Sequence, residues 1–305
     1  MNVDIIILAA GQGKRMQSPL PKVLQSLGGK PLLQHVVDTC SKIEKAKLHI
    51  IVGEQKKLIQ SSIRAPKSAN WIVQKKQLGT GHAVKQALPS LRANSQAVVL
   101  YGDGPLVKIS TLKKLIFDAA KNNLTLLTFE SANPKGLGRI IRESNSKVSG
   151  IVEEKDASSS EKKIKEVNSG ILATSTKNLQ QWLPKLRNNN ASKEYYLTDI
   201  VALCSSENKK IKAINLGDTS ELLGANDNQE LHNLERTYQK ETALSFLKSG
   251  VKFADINRVD FRGEASIGKN VFIDVNVVLE GKVTIGSDSI ISAGAVIRNS
   301  SLGKK

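Results

Sequence analysis

The sequence predicts an α/β chain: a mostly parallel sheet covered by helices, then a long helix, then the first coils of a parallel β-helix. Three observations predict it. Apolar runs rich in Ile, Val and Leu alternate with segments of helical period from residue 3 to residue 129. Residues 226–250 carry a helical repeat that ends on Gly250. Beyond it, apolar residues return at every sixth position: Phe261, Ile267, Ile273, Leu279, Ile285, Ile291 and Ile297.

The elements follow in order. Strands are expected near 3–9, 47–52, 71–74, 97–102 and 124–129, with helices near 31–43, 54–64, 81–91 and 110–122 between them. That alternation implies βαβ units, and strands so uniformly apolar are buried on both faces. Ligands of such sheets bind outside the carboxyl ends of the strands. The loop after the first strand and Tyr101-Gly102-Asp103 after a later one therefore face one crevice. From about 136 to 175 short segments separated by turns replace the pattern, which reads as a β-rich insertion over one side of the crevice. Helical patterns return at 178–187 and 196–206, and 226–250 reads as a long helix leaving the domain. In the hexapeptides each coil buries one apolar residue per face, and with about 18 residues per coil the run 259–303 makes two to three coils. The expected division is a first domain over 1–225, a linker helix over 226–250 and an incomplete β-helix over 251–305.

Composition narrows the function classes. The chain has 305 residues, 40% of them hydrophobic, enough for one large core and an appendage. The N-terminus has no basic leader, and its apolar stretch from Ile5 to Ala10 is far below the roughly 18 residues a membrane span needs. A cytoplasmic protein with no membrane partner is expected. Cys40 and Cys204 lie in apolar helical patterns with no CxxC, which reads as two buried thiols. The net charge of +17 comes from 35 Lys and 10 Arg scattered in ones and twos, and only 4% of residues are aromatic. Nucleic-acid binding calls for clustered cations, so a solvated lysine-rich surface is expected, with no nucleic-acid partner. His35, His49, His82 and His232 show no metal-ligand spacing and are assigned no chemistry.

The loop LAAGQGKRMQSPLPKVL is the most informative stretch. A dinucleotide fingerprint would need a glycine where Met16 stands, and a P-loop needs GxxxxGK followed by Ser or Thr, so both fail. What remains is a glycine turn whose backbone N–H groups can approach an anion, with Arg15 and Lys22 as cations and Pro19 and Pro21 stiffening the arm that carries Lys22. On the loop alone, an ordinary βα turn with surface cations is the favoured reading.

Other segments decide between them. LAAGQGKRM followed by PLPKVL resembles the signature of sugar nucleotidyltransferases. QKKQLGTGHAV (74–84), LYGDGPL (100–106), GRIIRE (138–143), GIVEEKDA (150–157), EVNSGI (166–171) and NNNASKEYYLTDIVAL (188–203) narrow it. Together they resemble the N-acetylglucosamine-1-phosphate uridylyltransferase family, the N-terminal half of a bacterial bifunctional enzyme that makes cell-envelope precursors.

The resemblance implies a Rossmann-like nucleotidyltransferase sheet, a left-handed β-helix, and transfer of uridylyl from UTP to N-acetylglucosamine-1-phosphate with release of pyrophosphate. It implies that the backbone of Leu8, Ala9, Ala10, Gly11 and Gly13 meets the nucleotide, with Arg15 and Lys22 as catalytic cations on its phosphates. Gln74 and Gln77 would read the uracil edge, with Gly79 and Thr80 closing over base and ribose. Tyr101, Gly102, Gly138, Glu153, Asn168 and Thr198 would bind the sugar, and Asp103 with Asn226 would hold Mg²⁺. Two departures stand out: Gly104 replaces the family's valine, and Gly224-Ala225-Asn226-Asp227-Asn228 keeps the first asparagine of Gly-Val-Asn-Asn-Arg but not its surroundings. The family's complete β-helix forms homotrimers and carries acetyl transfer. Those acetyltransferase residues are expected to be absent here, leaving uridylyl transfer alone. A nucleotidyltransferase for another sugar-1-phosphate, or a non-catalytic hexapeptide scaffold, is the alternative.

Overall fold

The computed structural model describes residues 1–11, 13–217 and 219–304. The chain divides into two compact units, Met1–Gln12 with Leu33–Leu223, and Gly13–Leu32 with Gly224–Lys305.

The first unit is built on one sheet. Its strands run in the order Ile211–Asn215, Leu124–Glu130, Glu166–Ser175, Gln96–Tyr101, Val3–Ala9, Ala46–Val52, Asn70–Val73. All neighbours are parallel except Glu166–Ser175, which is antiparallel to both of its own. Ile5, Ile6 and Ile7 on the central strand are fully buried, as strands covered on both faces require. Each such side chain contributes about 1.5–3 kcal/mol.

The expected insertion over 136–175 holds only in part. Arg139–Arg142 and Val148–Val152 form an antiparallel pair attached to the sheet through Val167 opposite Arg139, but Glu166–Ser175 lies in the main run of strands itself. Its apolar Ile171, Leu172 and Ala173 are buried between strands on either side, which outweighs the local turn signal. A register shift between Asn168 and Leu172 marks a bulge, with Gly170 at φ +79. Ser175 then caps helix Thr176–Trp182, accepting from Asn178 N at 3.1 Å.

At the amino ends of the strands lies a buried polar cluster. Asp4 accepts from His49 Nε2 at 2.7 Å, from Ser95 Oγ and from Arg92 Nε at 3.2 Å. Burial alone would raise the Asp4 carboxyl, but these hydrogen bonds and the Arg92 charge outweigh it and hold the group below its usual range. Cys40 and Cys204 are free, buried thiols, as expected, and burial pushes both up to about 12. Among the described residues no helix is long and apolar enough to cross a membrane.

The second unit joins the arm after the first strand to the C-terminal elements. Hairpin strands Ser26–Leu27 and Lys30–Pro31 turn on Gly28 and Gly29, with φ of +53 and +80. Gly28 N donates to Glu235 Oε2 at 2.9 Å, and a Cβ on Gly28 would lie 2.1 Å from the Tyr238 ring. The sequence division placed 13–32 with the first domain; the compact units place it with helix Asn228–Lys248, through contacts that no local pattern announces.

That helix starts at Asp227, whose Oδ1 accepts from Glu230 N at 2.8 Å. Beyond it, Val259–Ile267, Val277–Ile285 and Val296–Arg298 stack in parallel register, Val259 against Val277 and Val278 against Val296. The short strands Lys252–Phe253, Phe272–Ile273 and Ile290–Ile291 make a second face. Phe261, Ile273, Leu279, Ile285 and Ile291 are buried, as the sixfold period predicts, while Ile267 and Ile297 of the same series are half-buried against them. A second inward series lies two residues earlier, at Val259, Val271, Val277 and Val283. Four of the hexapeptides therefore contribute a large and a small apolar residue to the coil interior, whereas Ala265 and Ile267 are half-buried and Ser289 stands at the small position before Ile291. Corners need glycine: a Cβ on Gly263 would lie 2.3 Å from the Gly281 carbonyl one coil on.

Candidate active site

In the first unit the predicted residues gather at the carboxyl ends of the central strands. Leu8 pairs with Tyr101 across the ladder, and its carbonyl accepts from Gly102 N at 2.9 Å. A Cβ on Gly102 would meet Leu33 Cδ1 at 3.0 Å and Ala9 Cβ at 3.2 Å, so glycine lets the turn carrying Asp103 close against the first strand. At Gly11 a Cβ would meet nothing within 4 Å, which leaves the backbone there open.

The segment 74–82 forms the neighbouring wall. Gln74 is only 4% exposed, its N donates to Val52 O at 2.8 Å, and its Nε2 reaches Gly79 O at 3.1 Å and His82 Nδ1 at 3.1 Å. Its side-chain donor is spent inside the protein, so the amide orientation is set before any ligand arrives. Gln77 Nε2 donates to Ala10 O. Gly79, at φ +104, precedes helix Thr80–Ala87, and a Cβ there would lie 2.6 Å from Tyr195 O. Tyr195 N donates to Leu78 O at 2.8 Å, Gly81 N to Tyr195 O at 2.8 Å, and Leu197 N to Thr80 Oγ1 at 3.1 Å. The glutamine wall is thus clamped to the segment that carries Thr198.

The residues predicted to bind the sugar are brought together. Asn168 N donates to Gly138 O at 2.9 Å, and a Cβ on Gly138 would lie 3.4 Å from Glu153 Oε2. Thr198 Oγ1 donates to Glu153 Oε1 at 2.9 Å. Burial raises the Glu153 carboxyl, the Thr198 hydrogen bond opposes this, and the nearby Asp156 and Glu194 charges add to it. Tyr101 is raised by burial first and then by the Glu153 and Asp103 charges. Asp199, beside Thr198, is pushed up to about 6 by burial, with Glu153 and Asp156 contributing. At the edge of the bulge, the buried Oδ1 of Asn168 has no hydrogen-bond partner among the described residues.

Sequence reasoning missed two supports of this wall. His82, assigned no chemistry, anchors Gln74 and is itself approached by Gln86 Nε2 at 3.2 Å. Gly170 gives the Tyr101 ring its room, since a Cβ there would lie 2.0 Å from the ring. A glycine inside an otherwise apolar strand was the available signal for the second; the first had none.

In the second unit, Gly13 at φ +60 packs against Lys22, whose Cβ would be 2.6 Å from an added Cβ. Arg15 is exposed on the turn Lys14–Met16, anchored by fully buried Met16. Lys22, partly buried, donates from Nζ to Asn226 Oδ1 at 2.7 Å. Asn226 N and Nδ2 both donate to Glu230 Oε2, at 2.8 and 3.0 Å. The carboxamide is therefore oriented with its oxygen toward a cation. Among the described residues no cluster of three or more His, Cys, Asp or Glu could form a protein-only metal cage. Each taken within its own unit, the Asp103 carboxylate and the oriented Asn226 amide oxygen have the hard-oxygen chemistry that suits a divalent cation keeping most of its waters.

The MobA-like NTP transferase domain family matches residues 5–144, and a family of six bacterial transferase hexapeptide repeats matches 264–299. Two similar curated relatives are the Bifunctional protein GlmU of Nitrosococcus oceani, 46% identical over 299 residues, and that of Marinobacter nauticus, 44% identical over 300. Each match covers 98% of this chain and 66% of the relative, so the chain spans just under two thirds of their length. Among solved structures, a UDP-glucose pyrophosphorylase complexed with UDP-glucose superposes with a TM-score of 0.61 at 16% identity, over 79% of this chain and 100% of that one. Its likeness shows the fold alone. Across nearly its whole length, the chain belongs to the family of the bifunctional GlmU proteins, with a nucleotidyltransferase domain ahead of hexapeptide repeats.

Proposed function

We propose that the chain transfers a uridylyl group from UTP to N-acetylglucosamine-1-phosphate, giving UDP-N-acetylglucosamine and pyrophosphate. A phosphate oxygen of the sugar phosphate attacks the α-phosphorus of UTP, the new P–O bond forms, and the α–β bridging bond breaks as pyrophosphate leaves. Such a step needs two polyanions aligned and their charge neutralised, with little covalent help.

The roles follow from side-chain chemistry. Arg15 suits bidentate contact with phosphate oxygens, and Lys22 acts as a point charge on the transferring and leaving groups. Gln74 and Gln77 read the uracil edge, while Gly79 and Thr80 line base and ribose. Glu153, Asn168 and Thr198 bond the ring hydroxyls and the N-acetyl group, with Tyr101, Gly102 and Gly138 shaping the space. Asp103 and Asn226 would hold a divalent cation, proposed as Mg²⁺, which when bound supplies charge neutralisation at the phosphates. A cytoplasmic site of action and a homotrimer belong to the same proposal.

The observation that carries it is the buried, unpartnered Oδ1 of Asn168 beside the Glu153–Thr198 pair. A buried acceptor without a partner costs about 1–3 kcal/mol, and an amide N–H or hydroxyl of an N-acetyl sugar would relieve it. The test is pyrophosphate release from UTP, Mg²⁺ and either N-acetylglucosamine-1-phosphate or glucosamine-1-phosphate. Turnover with the acetylated sugar alone is expected. A folded protein that binds nucleotide yet turns over neither sugar overturns the proposal.

A further inference from the structure

A cavity of about 260 Å³ opens in the first unit on the outer side of segment 78–82, between helix Thr80–Ala87 and residues 183–187. Its floor rests on the buried Leu183 and Leu186, Leu78 stands 38% exposed at its edge, and most of the surface it exposes is polar. Two cations, Lys85 and Arg187, share its rim, and among the described residues neither forms an ion pair or a side-chain hydrogen bond. These two flank a concave surface, where a charge attracts an anion more strongly because part of its water is displaced. The rings of His82 and Tyr195, 6.5 Å apart and tilted by 32°, complete the lining.

We propose that this cavity is a second ligand site, for a small organic anion with a flat apolar body and a phosphate or carboxylate head. The body would cover Leu78 and lie against Leu183, Leu186 and the aromatic edge. The head would meet Arg187 in a bidentate pair, with Lys85 as a second charge. A volume of about 260 Å³ lies just below the usual range for small-molecule sites and matches a single ring with its substituent.

The site is an effector site. His82 lines the cavity with its ring and holds the Gln74 amide with Nδ1 at 3.1 Å, so an occupant pressing on His82 acts on the group that sets Gln74. The same segment is tied to Tyr195 through two backbone hydrogen bonds of 2.8 Å, which gives the occupant a second route to that wall. Linkage makes the effect reciprocal: the anion changes nucleotide affinity by the factor by which nucleotide changes anion affinity. This coupling, unlike the cavity, rests on Gln74 being the uracil reader proposed above.

The experiment titrates phenyl phosphate into the whole chain by calorimetry, with phenol and inorganic phosphate as half-ligands. Saturable binding of phenyl phosphate is expected, about tenfold or more tighter than either half, and lost by about tenfold in the K85A/R187A double variant. Equal binding by the variant overturns the site. UTP affinity is then measured with and without saturating phenyl phosphate. A change of about fivefold in the wild type, absent from the double variant, is expected. The same change in both proteins means simple competition at the nucleotide crevice and overturns the effector role, as does no change in either. Both cations are exposed, so the double variant should fold and keep its basal turnover. Should the chain fail to use UTP at all, the calorimetry still decides the cavity, so the two proposals fail separately.

Discussion

Lys22 donating to Asn226 Oδ1 at 2.7 Å, and Gly170 under the Tyr101 ring, are single positions with distinct jobs. Lys22→Ala should lower kcat by about 100-fold, the loss expected for one preorganised charge contact in transfer chemistry, while the melting temperature moves little. Lys22→Arg should not restore the rate, because a planar fork cannot replace a point charge held on one amide oxygen. Steady-state kinetics beside a thermal melt checks both. Gly170→Ala acts the other way. It forces φ +79 on a residue with a Cβ and drives that atom 2.0 Å from an aromatic ring, so a loss of stability of about 2 kcal/mol or more is expected from backbone strain and overpacking. An unchanged denaturant midpoint would sink this account of the bulge. Tyr101 must shift in the variant, so whatever sugar-phosphate turnover survives should show a raised KM.

Gln239, on helix Asn228–Lys248, shows how an element is fastened. It is 2% exposed, donates from Nε2 to Phe261 O at 2.9 Å and accepts from Phe261 N at 2.7 Å, completing both backbone groups of the first coil strand. Gln239→Leu strands two buried backbone groups, and at about 1–3 kcal/mol for each the second unit should unfold at clearly lower denaturant. Gln239→Glu keeps the acceptor and loses the donor, and should fall between. Amide exchange at Phe261 reads the loss directly. This fastening was not legible in the sequence, although much around it was. The five strands and the helices between them follow from apolar periodicity because burial on two faces imposes it locally. The coil interior was half visible: the large residues at every sixth position announced themselves, while Val259, Val271, Val277 and Val283 did not, since their own period overlaps the first. Within the first unit the motif residues stand at the strand ends, while Arg15, Lys22 and Asn226 belong to the second unit. Strand Glu166–Ser175 was hidden because its place in the sheet depends on pairing with Gln96–Tyr101, some seventy residues away, and its own bulge broke the strand pattern. His82 was hidden for the same reason, as its role is defined by what faces it.

Across the molecule, charge sets how stability responds to pH. Asp199 titrates at about 6 against a usual value of 3.8, chiefly through burial, so its ionised form opposes folding. The cost is absent below the unfolded value, grows as pH rises, and is complete above about 6. Asp199→Asn should therefore raise the melting temperature at pH 8 and change it little at pH 4; an equal shift at both would refute the assignment. Asp4 behaves oppositely. Its lowered carboxyl stabilises the fold above its ordinary range, and that contribution is lost as the medium is acidified through its folded value. Of these two groups, Asp4 favours the fold above its ordinary range and Asp199 opposes it there increasingly up to about 6. The stacked coils carry a last consequence. Val259 lies on Val277, Gly263 on Gly281 and Glu280 on Arg298, each pair separated by one full circuit of chain. Every rung reuses the same positions, so length here comes in quanta. Excising Gly268–Ile285, one circuit, should bring Val296–Arg298 onto Asp260–Arg262 and Ser301–Leu302 onto Ser266–Ile267 with large and small residues still facing inward. Excising half a circuit should turn the interior outward and yield insoluble protein. Variation in this part of the family is accordingly expected to proceed by whole turns, as a thread is cut by its pitch.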